Sequence, residues 1–123
     1  MRFKLTVLPG DGVGPEVARE AVRILRALGH FSDCEFICEE KPIGGAAIRA
    51  HGTPLPESTL EACLKSDAVF LGAVGAPEFD HLPTQQKPEA GLLGLRTALG
   101  GFANLRPAVS FPAIADCSPL QRS

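Results

Sequence analysis

The chain has 123 residues, which is enough for one ordinary domain and too few for two. Hydrophobic residues make up 45% and charged residues 21% of the sequence, so we expect a soluble globular protein. The formal charge of −2 argues against a nucleic-acid partner or a membrane surface, which need a basic face, and no apolar run reaches the length of a membrane span.

The first half of the chain predicts a strand, a helix and a second strand. Alternation of apolar and polar residues over "FKLTVLP" predicts the first strand. A glycine-rich loop follows, and Pro15 then opens a helix with apolar residues at helical spacing, which Gly29 should cap. The stretch "CEFICEE" predicts the second strand, with Cys34 and Cys38 on one buried face.

The second half predicts further helices around a buried strand. "GGAAIRAHG" predicts a short helical turn, and "PLPESTLEACLKS" predicts a helix with Leu60, Cys63 and Leu64 directed inward. "DAVFLGAVG" is almost wholly apolar, as expected for a parallel strand covered on both faces. "GLLGLRTALGG" predicts a short helix, and "FANLRPAVSF" a last strand, placed by Pro107 at an edge or a bend. The alternation of strands and helices predicts an α/β fold.

The cysteines and the N-terminus indicate a reducing compartment. Cys34, Cys38, Cys63 and Cys117 include no CxxC pair, so reduced thiols are expected rather than disulfides or a metal site. The opening sequence "MRFKLTVLPGDG" lacks the long apolar segment of a secretion signal. We therefore expect a cytoplasmic protein.

Gly10, Gly12 and Gly14 follow the first strand and are open to two interpretations. They could form a dinucleotide phosphate-binding loop at a helix N-terminus. Against this, Pro15 stands where the third glycine of that motif belongs, and Asp11 adds a carboxylate to the phosphate cradle. The alternative is a tight strand-to-helix turn in which glycines adopt positive φ. The sequence leaves both interpretations open.

The region from Gly75 to Gly91 has no clear periodicity and predicts a long loop. It follows the apolar strand, and ligands bind at the carboxyl ends of parallel strands. Two arginines come next in apolar surroundings, Arg96 and Arg106, and each guanidinium needs an anion. Arg96 could be a solvated helix residue and Arg106 could form a structural ion pair. Together they could hold a dicarboxylate, because a planar guanidinium binds a carboxylate through two hydrogen bonds.

Five segments occur in this order along the chain: "LPGDGVGPEV", "GGAAI", "LGAVGAPEFDHLP", "PEAGLLGLR" and "FANLRPA". Together they resemble the N-terminal part of the 3-isopropylmalate dehydrogenases, which belong to the β-decarboxylating dehydrogenase family. The resemblance covers nearly the whole chain and implies an isopropylmalate dehydrogenase-like parallel or mixed sheet flanked by helices, incomplete in this chain. It implies that residues 1–101 are the N-terminal part of a discontinuous cofactor and substrate domain. Residues 102–123 would begin a second, dimerisation domain, truncated here.

The resemblance also implies a reaction. This is the NAD-dependent oxidative decarboxylation of 3-isopropylmalate in leucine biosynthesis, with NAD and Mg²⁺ or Mn²⁺ as cofactors. The substrate would be a 2-hydroxy dicarboxylic acid, and the full-length form would be a homodimer. The family's metal ligands and its proton-transferring Tyr and Lys have no counterpart here, so we expect this chain alone to be inactive. The alternatives are another dehydrogenase of the family, acting on tartrate, homoisocitrate or isocitrate, and a non-catalytic module of a split protein.

The resemblance assigns roles to individual residues. Arg96 and Arg106 would bind the carboxylates of the malate moiety. Leu92 and Leu93 would accept a branched alkyl group, which favours isopropylmalate over isocitrate, although either leucine could instead be a core residue. Glu89 would lie near the nicotinamide and the substrate. The cofactor-contacting segment would consist of Ala76, Pro77, Glu78, Phe79, Asp80, His81, Leu82, Pro83, Thr84, Gln85, Gln86, Lys87, Pro88 and Glu89.

Overall fold

A parallel sheet of three strands carries helices on both faces in the computed structural model, which describes residues 1–109 and 111. The strands are β1 (Arg2–Gly10), β2 (Glu35–Glu40) and β3 (Ala68–Ala73), in the order β2-β1-β3. The helices are α1 (Gly14–Phe31), α2 (Gly44–His51), α3 (Glu57–Leu64) and α4 (Pro88–Ala98). Short 3₁₀ turns cover Pro77–Phe79 and Thr84–Gln86. The predicted α/β class is confirmed.

Side chains alternate along β1 and divide the core into two apolar clusters, one on each face of the sheet. On one face Val7 packs with Ala18 and Val22 of α1, and Phe70 of β3 adds to them. On the other face Leu8 packs with residues from the remaining helices and their approaches, namely Ile43, Cys63 and Leu95, against which Val69 and Leu71 of β3 pack. Both faces of β3 are therefore covered, as predicted, although its open edge leaves these residues partly exposed.

Helix α1 continues beyond the glycine that should have capped it. It runs to Phe31, and Ser32 takes an extended backbone conformation after the last turn. The hydroxyl of Ser32 donates a 2.7 Å hydrogen bond to the carbonyl of Leu28, which satisfies a terminal acceptor of the helix. Gly29 has a different function, because a Cβ there would lie 3.1 Å from the carbonyl oxygen of Cys34. It lets the chain turn back closely towards β2.

The buried face of helix α3 differs from the predicted one. Cys63 is buried and Leu60 is half-buried, as predicted, but Leu64 is 54% exposed. The fully buried Thr59 takes the inward position one turn before Cys63, and its hydroxyl donates a 2.8 Å hydrogen bond to the carbonyl of Pro42. A polar residue is accepted in this core because that bond satisfies its hydroxyl.

The three cysteines within the described residues are free thiols. Cys34 and Cys38 are half-buried on the same side of the chain around β2, whereas Cys63 lies in the core. Burial raises the pKa of the Cys63 thiol, so this residue stays protonated at neutral pH and packs as a small apolar side chain. Cys117 lies outside the described residues.

Residues 101–109 form neither a strand nor a helix, so the predicted strand over "FANLRPAVSF" is wrong for the part of it that the structure describes. A strand needs a neighbour to satisfy its backbone groups, and this segment pairs with none of the three strands. Residues 110 and 112–123 lie outside the described residues, and the domain boundary at 101/102 stays a prediction. Within the described residues, no helix is long and apolar enough to cross a membrane.

Candidate functional site

The carboxyl ends of β1 and β3 mark a switch point in the sheet, because the chain places β2 on one side of β1 and β3 on the other. In open parallel sheets, ligands bind beyond the carboxyl ends of the strands at such a point. Three segments meet here: the loop 10–14 after β1, the N-terminus of α2, and the segment 74–89 after β3. This end of the sheet is the candidate site.

The glycine loop after β1 is a tight strand-to-helix turn. Gly10 and Gly12 adopt φ values of 72° and 57°, a region that favours glycine over other residues. At Gly14 the constraint is space, since a Cβ would lie 2.0 Å from the carbonyl oxygen of Pro9. Each of the three glycines thus has a structural reason, and the second of the two interpretations of this loop accounts for all of them.

Asp11 has its carboxylate buried at the centre of the site. It accepts hydrogen bonds from the backbone N–H groups of Gly45 (2.7 Å), Ala46 (2.8 Å) and Gly75 (3.1 Å). The first two belong to the first turn of α2, whose N-cap residue, Ile43, has no side-chain acceptor. Asp11 therefore caps α2 from another part of the chain, and these N–H groups are not available to a phosphate.

Arg49 extends this cluster to the segment after β3, and the sequence analysis did not single it out. Its Nη2 lies 3.5 Å from Oδ1 of Asp11, and its Nη1 pairs with Glu78. Its Cζ lies over the ring of Phe79, 5.8 Å from the centroid. One signal was available: a helix without its own cap needs an outside acceptor, and Arg49 lies one turn after Gly45 on the same side of α2.

The segment assigned to the cofactor is less of a loop than predicted. Two 3₁₀ turns interrupt it, and α4 already begins at Pro88, which is buried. Glu89 lies in the first turn of α4, and its Oε1 is 3.1 Å from the position that a Cβ would take at Gly75. The remaining assigned residues are exposed or half-buried. They lie beyond the carboxyl end of β3.

One side of α4 carries most of the residues assigned to the substrate. Glu89, Leu92, Leu93 and Arg96 are spaced by three, four and seven residues, so they follow one another along the same side of the helix. Leu92 is half-buried and Leu93 is 59% exposed, and neither belongs to the two apolar clusters. Leu95, at 2% exposure, is the residue of α4 that enters the core.

The two arginines are exposed, and neither forms a salt bridge within residues 1–109 and 111. Arg96 lines a surface depression together with Leu99 and residues 101–105. Arg106 is not among the residues that line it. The structure thus places Arg96 beside Leu92 and Leu93 on one helix, and Arg106 directly follows Leu105, one of the residues that line the depression with Arg96.

The described residues do not fit the divalent metal that the resemblance implies. They contain no group of three or more His, Cys, Asp or Glu side chains that could hold a metal ion. The buried carboxylate of Asp11 is already engaged with backbone N–H groups and Arg49.

Comparison with known proteins supports the assignment made from the five segments. The chain is 55% identical over 120 residues to the 3-isopropylmalate dehydrogenase of Synechococcus elongatus, an alignment that covers 98% of this chain and 33% of that protein. It is 52% identical over 122 residues to the 3-isopropylmalate dehydrogenase of Heyndrickxia coagulans, covering 99% of this chain and 33% of that protein. The chain thus spans about a third of the length of these curated relatives.

Solved structures agree on the fold. A β-decarboxylating dehydrogenase from Thermococcus kodakarensis, in its apo form, matches with a TM-score of 0.61 and 35% identity, covering 80% of this chain and 27% of that one. An isocitrate dehydrogenase from Methylococcus capsulatus matches with a TM-score of 0.54 and 33% identity, covering 61% of this chain and 21% of that one. The family model described as isocitrate/isopropylmalate dehydrogenase matches residues 4–123, and the chain therefore belongs to this family.

Proposed function

We propose that this chain supplies substrate and cofactor contacts of an NAD-dependent 3-isopropylmalate dehydrogenase acting in leucine biosynthesis. The proposal draws on the identity to relatives with this name and on the arrangement of α4 at the carboxyl end of the sheet. The observation that carries it is the pair of exposed arginines, Arg96 and Arg106, each without a salt bridge to any described residue.

The arginines bind the two carboxylates of the malate moiety. A guanidinium offers a planar set of donors that matches a carboxylate, and its charge is fixed at all physiological pH values. No described carboxylate competes for either side chain, so both can accept a ligand. For Arg106 this role fits the position of its segment, because residues 101–105 already line a depression with Arg96.

The alkyl group of the substrate packs on Leu92 and Leu93. These residues precede Arg96 by four and three positions, so an apolar surface lies directly beside the guanidinium. A branched alkyl group gains free energy by contact with such a surface, whereas the third carboxylate of isocitrate would lose hydration without gaining a partner. This contrast favours isopropylmalate.

The segment 76–89 lies against the nicotinamide cofactor. Its exposed position beyond the carboxyl end of β3 fits a ligand-contacting wall, and Glu89 reaches back to Gly75 at the end of that strand. A nicotinamide cofactor held there would supply the hydride acceptor for the secondary alcohol of the substrate. The loop 10–14 contributes shape rather than a phosphate cradle, because Asp11 occupies the N–H groups of α2.

We expect this chain alone to form no NADH. It contains no tyrosine for the proton transfer that the family resemblance implies, and its described residues hold no metal site. The homodimer implied for the full-length enzyme stays a prediction. An assay with 3-isopropylmalate, NAD⁺ and Mg²⁺ checks this expectation, and NADH formation above a boiled-protein control would contradict it.

Binding is the direct test of the proposed contacts. We would titrate the ¹⁵N-labelled chain with 3-isopropylmalate and follow the amide resonances by NMR. Shifts should concentrate between Glu89 and Arg96 and around Arg106. Arg96→Ala and Arg106→Ala should each weaken binding by about tenfold or more, since a charge-assisted pair contributes at least about 1.4 kcal/mol.

Arg26→Ala is the matched control, because Arg26 is an exposed arginine on α1, away from α4. An equal loss of binding in this variant would contradict the assignment and indicate attraction by net charge alone. A panel of tartrate, homoisocitrate and isocitrate tests the substrate preference. Tighter binding of isocitrate than of isopropylmalate would refute the role given to Leu92 and Leu93.

A further inference from the structure

The side chain of Arg49 connects a rigid part of the fold to the segment that follows β3. Its guanidinium has three neighbours: the carboxylate of Asp11 on one side, Glu78 on the other, and the ring of Phe79 beneath it. Arg49 is half exposed, whereas the Asp11 side chain is 1% exposed. One partner is therefore fixed in the interior, and the other two belong to a surface segment.

The position of the Asp11 carboxylate is fixed because backbone N–H groups from two parts of the chain donate hydrogen bonds to it. Two N–H groups come from α2 and one comes from Gly75 at the end of β3. Its oxygens cannot follow a moving arginine without breaking these bonds. The position of the Arg49 guanidinium is set accordingly by α2 and Asp11 together.

The segment 76–86 makes few hydrogen bonds to the rest of the fold. Its backbone hydrogen bonds outside helices and strands are local, each joining residues three positions apart, as in the bond from Phe79 to Ala76. Among the described residues, the bond from Arg49 to Glu78 is the one side-chain hydrogen bond that ties this segment to another element.

The ring of Phe79 packs on α2, next to the hydrogen bond between Arg49 and Glu78. A Cβ at Gly45 would lie 2.8 Å from Cε2 of Phe79, so the ring packs directly on the backbone of the helix. Arg49 follows Gly45 by one turn and covers the same ring. Gly45 thus leaves room for the edge of the ring, and the guanidinium of Arg49 lies over its face.

We propose that Arg49 is a positioning residue that fixes the segment 76–82 against α2, by bridging Asp11 to Glu78 and stacking on Phe79. The segment belongs to the wall assigned to the cofactor. The consequence for cofactor binding rests on the proposed function, whereas the positioning itself does not.

Hydrogen exchange of the 123-residue chain, read by mass spectrometry on peptides spanning 76–86, tests the positioning. Arg49→Ala should speed exchange there by about three- to tenfold and leave peptides from β1 unchanged. Arg49→Lys should fall between, because a lysine keeps the charge but cannot bridge two carboxylates and stack in the same way. Arg23→Ala is the matched control, since Arg23 is also exposed and paired, with Glu20 at 2.8 Å.

A charge swap separates a three-partner bridge from an ordinary surface pair. Arg49→Glu combined with Glu78→Arg restores the pair but places a carboxylate beside Asp11. We expect the double variant to exchange as fast as Arg49→Ala. Full recovery of protection would overturn the proposal, and so would slow exchange in Arg49→Ala itself.

Two further measurements complete the test. Should Arg49→Ala not fold, Glu78→Ala removes the exposed partner of the pair and leaves Asp11 in place. This variant must show faster exchange in 76–86 than the wild type, and unchanged exchange overturns the proposal. NAD⁺ titration by NMR then addresses the cofactor. Weaker binding of NAD⁺ to Arg49→Lys than to the wild type supports the consequence that Arg49 promotes cofactor binding. Equal binding refutes that consequence, and no binding to wild type refutes the cofactor assignment, while the exchange data still decide the role of Arg49.

Discussion

At the scale of single residues, Asp11 holds together parts of the chain that are far apart in sequence. Its hydrogen-bond partners lie 34, 35 and 64 residues away. Asparagine has the same shape but one acceptor oxygen, and its NH₂ group would face an N–H donor. We expect Asp11→Asn to lower the free energy of unfolding by about 2–4 kcal/mol, measured by urea denaturation followed by circular dichroism.

Asp33→Asn is the control for this prediction. The Asp33 residue is exposed, and its side chain makes no hydrogen bond to a described residue. Its variant should unfold at the same urea concentration as the wild type. Equal midpoints for Asp11→Asn and Asp33→Asn would show that the buried carboxylate is not required for the fold.

Sequence patterns predicted the loop that contains Asp11, but they did not predict that its carboxylate caps α2. The mismatch with a dinucleotide motif was visible, because Asp11 and Pro15 break its chemistry. The partners were not visible, since long-range hydrogen bonds leave no periodic trace in the sequence. Arg49 was overlooked for the same reason: a single arginine on a short helix is ordinary until Glu78 and Phe79 are found beside it.

At the scale of elements, the placement of α4 depends on a close contact at Gly91. A Cβ at this position would lie 2.5 Å from the backbone oxygen of Pro54, just before α3. In a helix, alanine is more stable than glycine by about 1 kcal/mol. At position 91 this gain is outweighed, because the backbone at Pro54 must move away to make room for the Cβ. We expect Gly91→Ala to lower the free energy of unfolding by about 1–3 kcal/mol, and to weaken isopropylmalate binding by displacing Arg96.

Gly94→Ala in the same helix should raise the free energy of unfolding. A Cβ at Gly94 would lie 3.6 Å from Cδ2 of Leu55, which is an ordinary contact. The propensity gain then remains, and the variant should be more stable by up to about 1 kcal/mol in the same urea experiment. A stabilising Gly91→Ala would refute the tight packing described for α4.

Element types were predictable wherever burial of one or both faces imposes a pattern on the sequence. The strands β1, β2 and β3 and the helix α1 have alternating, apolar or helical patterns that burial imposes. The start of α4 at Pro88 was missed because a proline in an aperiodic stretch also fits a loop. The strand predicted over 102–111 is wrong for its described part, because strand formation depends on a partner that local pattern does not reveal.

The same reasoning applies to the site. The order of Leu92, Leu93 and Arg96 on one side of α4 follows from helical spacing alone, and the structure contains that helix. The spatial relation of Arg106 to this group involves a segment without regular structure, so no spacing rule predicts it.

At the scale of the whole molecule, α1 exposes an apolar stripe beside its buried face. Val17, Ile24, Leu28 and Phe31 are exposed by 45%, 61%, 50% and 88%. Exposed apolar groups that line up in this way favour association. We expect the isolated chain to self-associate in a concentration-dependent manner, and Ile24→Lys with Leu28→Glu to reduce this, as measured by sedimentation velocity.

Arg19→Glu, on the charged side of α1, is the control for the stripe and should not reduce association. A wild-type chain that stays monomeric across the concentration series would contradict the prediction. Association that persists unchanged in the double variant would instead assign it to the open edges of β2 and β3, which are unpaired within the described residues.

The central position of β1 has a consequence for synthesis on the ribosome. The first strand to be made pairs with β3 across about sixty residues of intervening chain, as in the pairing of Leu5 with Ala68. At about 5–20 residues per second, its inner edge waits for roughly 3–13 seconds before that neighbour is translated. Until β3 is available, β1 keeps one unpaired edge, so chaperones that recognise short hydrophobic segments can bind β1 before the sheet closes.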